Sequence, residues 1–361
     1  MGERMEDVTE MDNIQDFLDE LSYEQIQEMM DRILGQQSFD FSDYVGGLAN
    51  GNQMGSAKDI FHTICQGLFL NVVQDKKMII SLFIIAVIGA VFTNFSKLLQ
   101  GRQVAQTAFF AVYLLFFSVL SASFCQVTQM AADTMENLLD FIKVLVPAFF
   151  ISMSFSQGAA ASGVYYEFTL AMIAVVNYVL VKFAIPAINL YFFLQVSNYL
   201  SEEDMFSKMA ELVRDVVKTV MKTMFGIMMG MNVVQGLIVP VTAQVKNMAV
   251  VRMGGAIPGV GNAVSSVAQT ILCAGTLVKN AVGVSGLVVV FIICAVPLLH
   301  MILSQFLYQM VAAAIQPVSD KRLVKSLEGT VEAIRLLVYA VGVGAMMFIT
   351  SIAIISAMTN V

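Results

Sequence analysis

Gly254, Gly255, Gly259 and Gly261 crowd around Pro258 in the run GGAIPGVG. Glycine at that density could present backbone N–H groups to a phosphate, but no Lys-Ser/Thr pair follows, so the run is not a nucleotide loop. Other enzyme chemistries lack their residues too. There is no HExxH, no Gly-x-Ser-x-Gly elbow and no pair of carboxylates deep in an apolar run. The sequence therefore predicts no catalytic, cofactor-binding or metal-binding residues. Cys65, Cys125, Cys273 and Cys294 lack CxxC spacing, and three of them lie in apolar runs; they read as small buried side chains and not as a disulfide frame or zinc site.

What polar residues can do here follows from their apolar surroundings. Lys182 shares its run with Asn177, Asn189 and Gln195, which predicts either ordinary packing or a polar inner face. Lys143 and Lys222 lie near the ends of apolar runs, where their stems can snorkel to water. His300, three residues after Pro297, has no second ligand or carboxylate nearby in sequence and reads as a packed or interfacial histidine. Asn232 and Gln235 follow Gly226 and Gly230, a GxxxG spacing that lets two helices approach closely. The 25 methionines fit adaptable packing surfaces, core filling first among them.

The elements that must position these residues are membrane helices. Hydrophobic residues make up 58% of the chain and charged ones 13%, about half the share in soluble domains, and the mean hydropathy is +0.76. This composition predicts an all-α, polytopic membrane helix bundle. Residues 1–60 are different: 14 acids stand against Arg4, Arg32 and Lys58. They form an acidic N-terminal segment and linker ahead of a membrane domain at 61–361. From Asn13 to Leu34 apolar residues recur at helical intervals among the acids, which fits a solvated amphipathic segment or a docking arm for a protein partner. Nothing basic there suggests nucleic acid. Residues 60–73 are apolar but too short to cross and suit the bilayer interface.

Apolar runs follow at 78–95, 104–127, 138–155, 168–196, 219–241, 284–314 and 334–358. Prolines at Pro147, Pro186 and Pro297 predict kinks within three of them. Whether 262–282 crosses or re-enters sets the count at eight or seven. Loop cations split evenly between the two orientations, and an outside N-terminus is favoured by the sparse competing charge in the first loops.

The stretch from Gly254 to Gly286 decides most. It carries seven glycines, Pro258 and one cation, Lys279, which together weaken both helix propensity and lipid solubility. Gly254, Gly255, Pro258, Gly259 and Gly261 predict a backbone break. Lys279 and Asn280 predict the far turn of a hairpin, and Gly283 and Gly286 open the next helix. Such a hairpin either lines or gates a conduit, or seals a bundle.

That stretch, with Pro297, Tyr308, Gln316, Pro317, Asp320, Lys321 and Arg322 after it, resembles the polytopic stage III sporulation protein AE family of endospore formers. The likeness runs from about Ser56 to the end. It implies a non-enzymatic component of a channel or secretion-like complex in the mother-cell membrane around the forespore. It also implies other membrane and intermembrane-space proteins of that complex as partners, an indirect link to a secretion-type ATPase, contact with the lipid bilayer, scope for a homo-oligomer, and no cofactor. The family pattern further implies an export signal ahead of the membrane domain, where this chain has an acidic segment. A secondary transporter, using broken helices around a midplane ion site, and a non-conducting scaffold are the rival readings.

Overall fold

Between Arg102 and Gln157 the backbone forms one unbroken helix of 56 residues, about 84 Å at helical rise. The computed structural model describes residues 23–34, 41, 45, 80, 81, 83, 84, 87, 88, 91, 102–157, 159–200, 205–254, 261–317 and 319–357. We number the helices α1 (Tyr23–Leu34), α2 (Arg102–Gln157), α3 (Ala159–Val179), α4 (Ile185–Leu200), α5 (Ser207–Gly254), α6 (Gly261–Ile315) and α7 (Lys321–Ala357), with a π-helical turn, Leu180–Ala184, joining α3 to α4. Among the described residues all regular structure is helical, as the composition requires.

The rods alternate in direction. On α2 and α4, Tyr113 meets Val196 and Thr128 meets Asn189, so the two run antiparallel. Met130 of α2 meets His300 of α6, and Leu145 lies against Gly286, again antiparallel. α7 returns alongside α6 after a short turn and packs on it more extensively than any other pair of helices pack. Lys218 with Glu332, and Asn232 with Ser351, set α5 parallel to α7. The core between these rods is built from Phe116, Phe124, Phe141, Phe192, Leu327, Leu337 and Phe348, all fully buried or nearly so. Phe124 stacks on Phe192 with ring centroids 4.0 Å apart.

Four helices among the described residues are long and apolar enough to cross a bilayer: Phe109–Pro147, Thr169–Tyr199, Asn280–Ile315 and Lys321–Ala353. Four is short of the expected seven or eight. The run at 78–95 lies mostly outside the described residues. Its described apolar positions, Ile80, Phe83, Ile84, Val87, Ile88 and Val91, are helical and exposed.

Two sequence expectations are corrected. The runs 104–127 and 138–155 belong to one helix, because the polar link between them, TQMAADTMEN, is rich in helix formers and free of Gly and Pro. The runs 262–282 and 284–314 likewise share α6. All three prolines lie inside helical passages. At Pro186 the accommodation is visible: Ile185 N–H bonds back five residues to Leu180 O, opening a π turn just before the residue that cannot donate.

The N-terminal helix α1 packs on the long rods. Ile26 and Met30 are fully buried, α1 lies against α2 and α6, and Arg32 sits 3.8 Å from Asp140 of α2. Gln27 Oε1 accepts the Phe41 N–H at 2.8 Å, fixing the chain just after the helix.

Candidate functional site

The α6–α7 hairpin is tied at its turn by backbone and cap together. Gln316 N–H bonds Ala312 O at 3.0 Å and Ser319 N–H bonds Ile315 O at 2.8 Å. Asp320 then caps α7: its Oδ1 accepts the Arg322 N–H at 2.9 Å and its carbonyl accepts the Leu323 N–H at 3.1 Å. The carboxylate also faces the positive end of the helix dipole. The first turns of α7 are clamped by cation–π contacts, Arg322 over Phe109 of α2 at 5.3 Å and Lys325 over Tyr199 of α4 at 6.0 Å.

Below this end a column of polar side chains runs between the rods. Tyr113 donates to the Val196 carbonyl at 2.7 Å and lies 2.8 Å from Ser326 Oγ, joining α2, α4 and α7. The Ser123 and Tyr308 hydroxyls bond α2 to α6. Thr128 Oγ1 donates to Asn189 Oδ1 at 2.9 Å, and His300 Nδ1 is 3.1 Å from Met130 Sδ. Asn232 Nδ2 reaches Ser351 Oγ at 3.4 Å. Bonds of this kind between membrane helices contribute roughly 0.6 to 2 kcal/mol each. The column holds the rods together.

Glycines set the closest approaches. A Cβ on Gly286 would come within 2.6 Å of Leu145 Cδ2, on Gly329 within 2.8 Å of Gln195 Cγ, and on Gly344 within 2.5 Å of Met135 Cε. Charge enters beside this contact set: Glu332 accepts from Lys218 Nζ at 3.3 Å and from Arg335 Nη1 at 2.7 Å, linking α5 to α7. Nearby on α5, the hydrogen bond from Arg214 to Asp215 at 3.1 Å pushes the guanidinium further up, so it stays cationic. Beside Glu332 and Arg335, Gln309, Gln316 and Glu328 line a cleft of about 340 Å³ between α6 and α7. Among the described residues no three His, Cys, Asp or Glu side chains converge as a metal site would require.

Residues 39–359 match the family model for stage III sporulation protein AE. The chain belongs to that family. It is similar to the stage III sporulation protein AE of Bacillus subtilis (strain 168), with 22% identity over 307 residues, 85% of this chain and 77% of that one. No solved structure matches it. With its apolar helices, this stage III sporulation protein AE family member is a sporulation membrane protein, and its family is not a known enzyme family.

The sequence-predicted residues of this family member are dispersed along the rods. Gly254 ends α5 and Gly261 begins α6, while Gly255, Pro258 and Gly259 lie outside the described residues. Lys279 and Asn280 are a correction: α6 passes through them as helix, with no turn, and Gly283 and Gly286 sit within it. The reason is packing. Gly283 and Gly286 are buried, and the close fit of Gly286 on Leu145 keeps a glycine-rich stretch helical. Asn232 and His300 are buried in the polar column, whereas Lys182 is exposed on the π turn. Gln235 lies in α5 with its side chain outside the described set. A Cβ on Gly226 or Gly230 meets nothing within 4 Å among the described residues. Cys294 is buried and Cys125 exposed.

Sequence reasoning missed Tyr113, Ser123, Thr128, Gly329, Gly344 and Glu332. Only Ser326 and Thr330 left a trace, a four-residue spacing at which the Thr330 hydroxyl bonds the Ser326 carbonyl at 2.8 Å.

Proposed function

We propose that this protein is the multi-spanning component of a channel or secretion-like complex in the mother-cell membrane around the forespore. The observation that carries the reading is the family match over residues 39–359 of a chain with several membrane-compatible helices. Its partners are other membrane and intermembrane-space proteins of the complex, with a secretion-type ATPase acting indirectly. The break between Gly254 and Gly261 is the element that lines or gates the conduit. Its glycines and Pro258 permit a chain reversal between two long rods. Purification with crosslinked partners from sporulating cells tests the assembly, with such partners recovered as the expected result. Full sporulation and complex assembly after Pro258, Gly259 and Gly261 are all replaced by Ala would sink the gating role.

A second reading, a non-conducting scaffold, is favoured by the close glycine contacts at Gly286, Gly329 and Gly344 and by the bonded polar column between the rods. Reconstituted flux separates the two. A pore passes solute in proteoliposomes, and a scaffold binds partners and passes none.

A further inference from the structure

A second polar site lies away from the column, in a cleft of about 350 Å³ between α2 and the α3/π-turn segment. Glu136, Asp140 and Lys143 line one wall, and Asn177, Tyr178 and Lys182 the other. Asp140 is engaged, by Lys143 at 3.0 Å and by Arg32 of α1 at 3.8 Å. Glu136 and Lys182 are different. Neither has an ion-pair or hydrogen-bond partner among the described residues, although both face the same cleft. Asn177 is 6% exposed, and its Oδ1 is buried with no hydrogen-bond donor.

Each of these groups has an unmet requirement. The lone cation of Thr169–Tyr199, Lys182, and the unpaired carboxylate of Glu136 in Phe109–Pro147, both helices apolar enough to cross a bilayer, are costly without counter-charges. A buried amide oxygen without a donor carries its own desolvation cost. Lys182 sits within the π turn, an irregularity frequent where helices carry function. One ligand meets both charge requirements if it carries a primary ammonium and an anionic group a few bonds apart. The ammonium faces Glu136, and the anion faces Lys182 across the cleft, with Lys143 beside it. The volume suits a small group of that size.

We propose that this cleft binds a zwitterion bearing a primary ammonium and a phosphate, as in an ethanolamine phosphate group. That group reaches the cleft either as the headgroup of phosphatidylethanolamine or as a free molecule.

The chain contains no tryptophan, so Tyr178→Trp, at a side chain 68% exposed, gives a single fluorescent reporter on the cleft. The full-length variant in phosphatidylcholine nanodiscs is titrated with free O-phosphoethanolamine and, separately, reconstituted with rising phosphatidylethanolamine. A saturable change is expected in at least one arm. A change with the free compound identifies a soluble ligand, and a change only with the lipid identifies a headgroup. Glu136→Gln or Lys182→Gln should raise the half-saturation point about tenfold or more, the usual consequence of losing a hydrogen bond to a charged group. Lys182→Arg should stay within a few-fold of the parent. No response in either arm overturns the proposal, as does unchanged half-saturation in both cleft variants. Native mass spectrometry of the unsubstituted protein is the check that needs no variant. Retention neither of added O-phosphoethanolamine nor of phosphatidylethanolamine above phosphatidylcholine, whose quaternary ammonium cannot donate, also overturns it.

Discussion

Asp320 does two things with one side chain. It accepts the Arg322 N–H and puts negative charge at the start of α7, beside the turn that brings α7 back against α6. Removing the carboxylate as Asp320→Ala should cost about 1 kcal/mol, and Asp320→Asn should recover most of it, because an amide oxygen caps nearly as well. Thermal unfolding in detergent reads the difference; equal losses in both variants would mean that the oxygen is not the cap. The glycines separate by the same logic of local contact. A side chain at Gly344 meets Met135 and Leu180 at once, so Gly344→Val should destabilise by about 1–3 kcal/mol. Met135→Ala in the same chain should return part of that loss, since the two positions share one space. Gly226→Ala, with open space around it, should stay within about 0.5 kcal/mol of the parent.

At the scale of elements, the π turn couples a missing donor to the packing of α4. Pro186 has no N–H, and the preceding Ile185 N–H is redirected to Leu180 O, which opens the turn by one residue. Pro186→Ala restores a donor and lets the passage relax toward regular α-helix, rotating α4 against α2. Thr128 and Asn189, whose side chains meet at 2.9 Å, report that rotation. With Cys65, Cys125, Cys273 and Cys294 replaced by Ser, the pair Thr128→Cys and Asn189→Cys should form a disulfide under mild oxidation. Adding Pro186→Ala should reduce its yield several-fold; an unchanged yield would show that the proline does not hold the register. The sequence revealed the apolar runs because hydropathy is local, and it revealed Pro186 because proline chemistry is local. It did not reveal that TQMAADTMEN continues a helix, since polarity there marks a change of surroundings and not a change of backbone. Nor could it pair Tyr113 with Ser326 across 213 positions, because periodicity names a face and never the partner of that face. Lys279 and Asn280 misled for the same reason, with a cation mistaken for a turn inside α6.

For the whole molecule, the merged helices decide which cations share a side. Phe109 near the start of α2 meets Arg322, Tyr199 near the end of α4 meets Lys325, and the Phe206 N–H just before α5 bonds Asn198 Oδ1 at 2.8 Å. The start of α2, the α4–α5 junction and the α6–α7 turn therefore lie at one end of the bundle. Counting 262–282 and 284–314 as two crossings put Lys208 and Arg214 opposite Lys321, Arg322 and Lys325. As one helix, α6 brings all five cations to the same end, and the other merger, in α2, moves both groups together and leaves that relation unchanged. Of the cations near the ends of the rods, the opposite end keeps Lys246 and Arg252, close before the α5–α6 break. The even split of charge is thereby broken, and the positive-inside rule assigns the α4–α5 and α6–α7 end to the cytoplasm. Single cysteines at Ser207, Gln316 and Gly158 in a chain otherwise free of cysteine test this with a membrane-impermeant maleimide on intact cells. Gly158→Cys, in the link from α2 to α3, should label from outside, whereas Ser207→Cys and Gln316→Cys should label only after the cells are opened. Labelling of Ser207→Cys and Gln316→Cys from opposite sides would break the shared end, and labelling of both from outside would reverse the orientation while leaving the bundle intact.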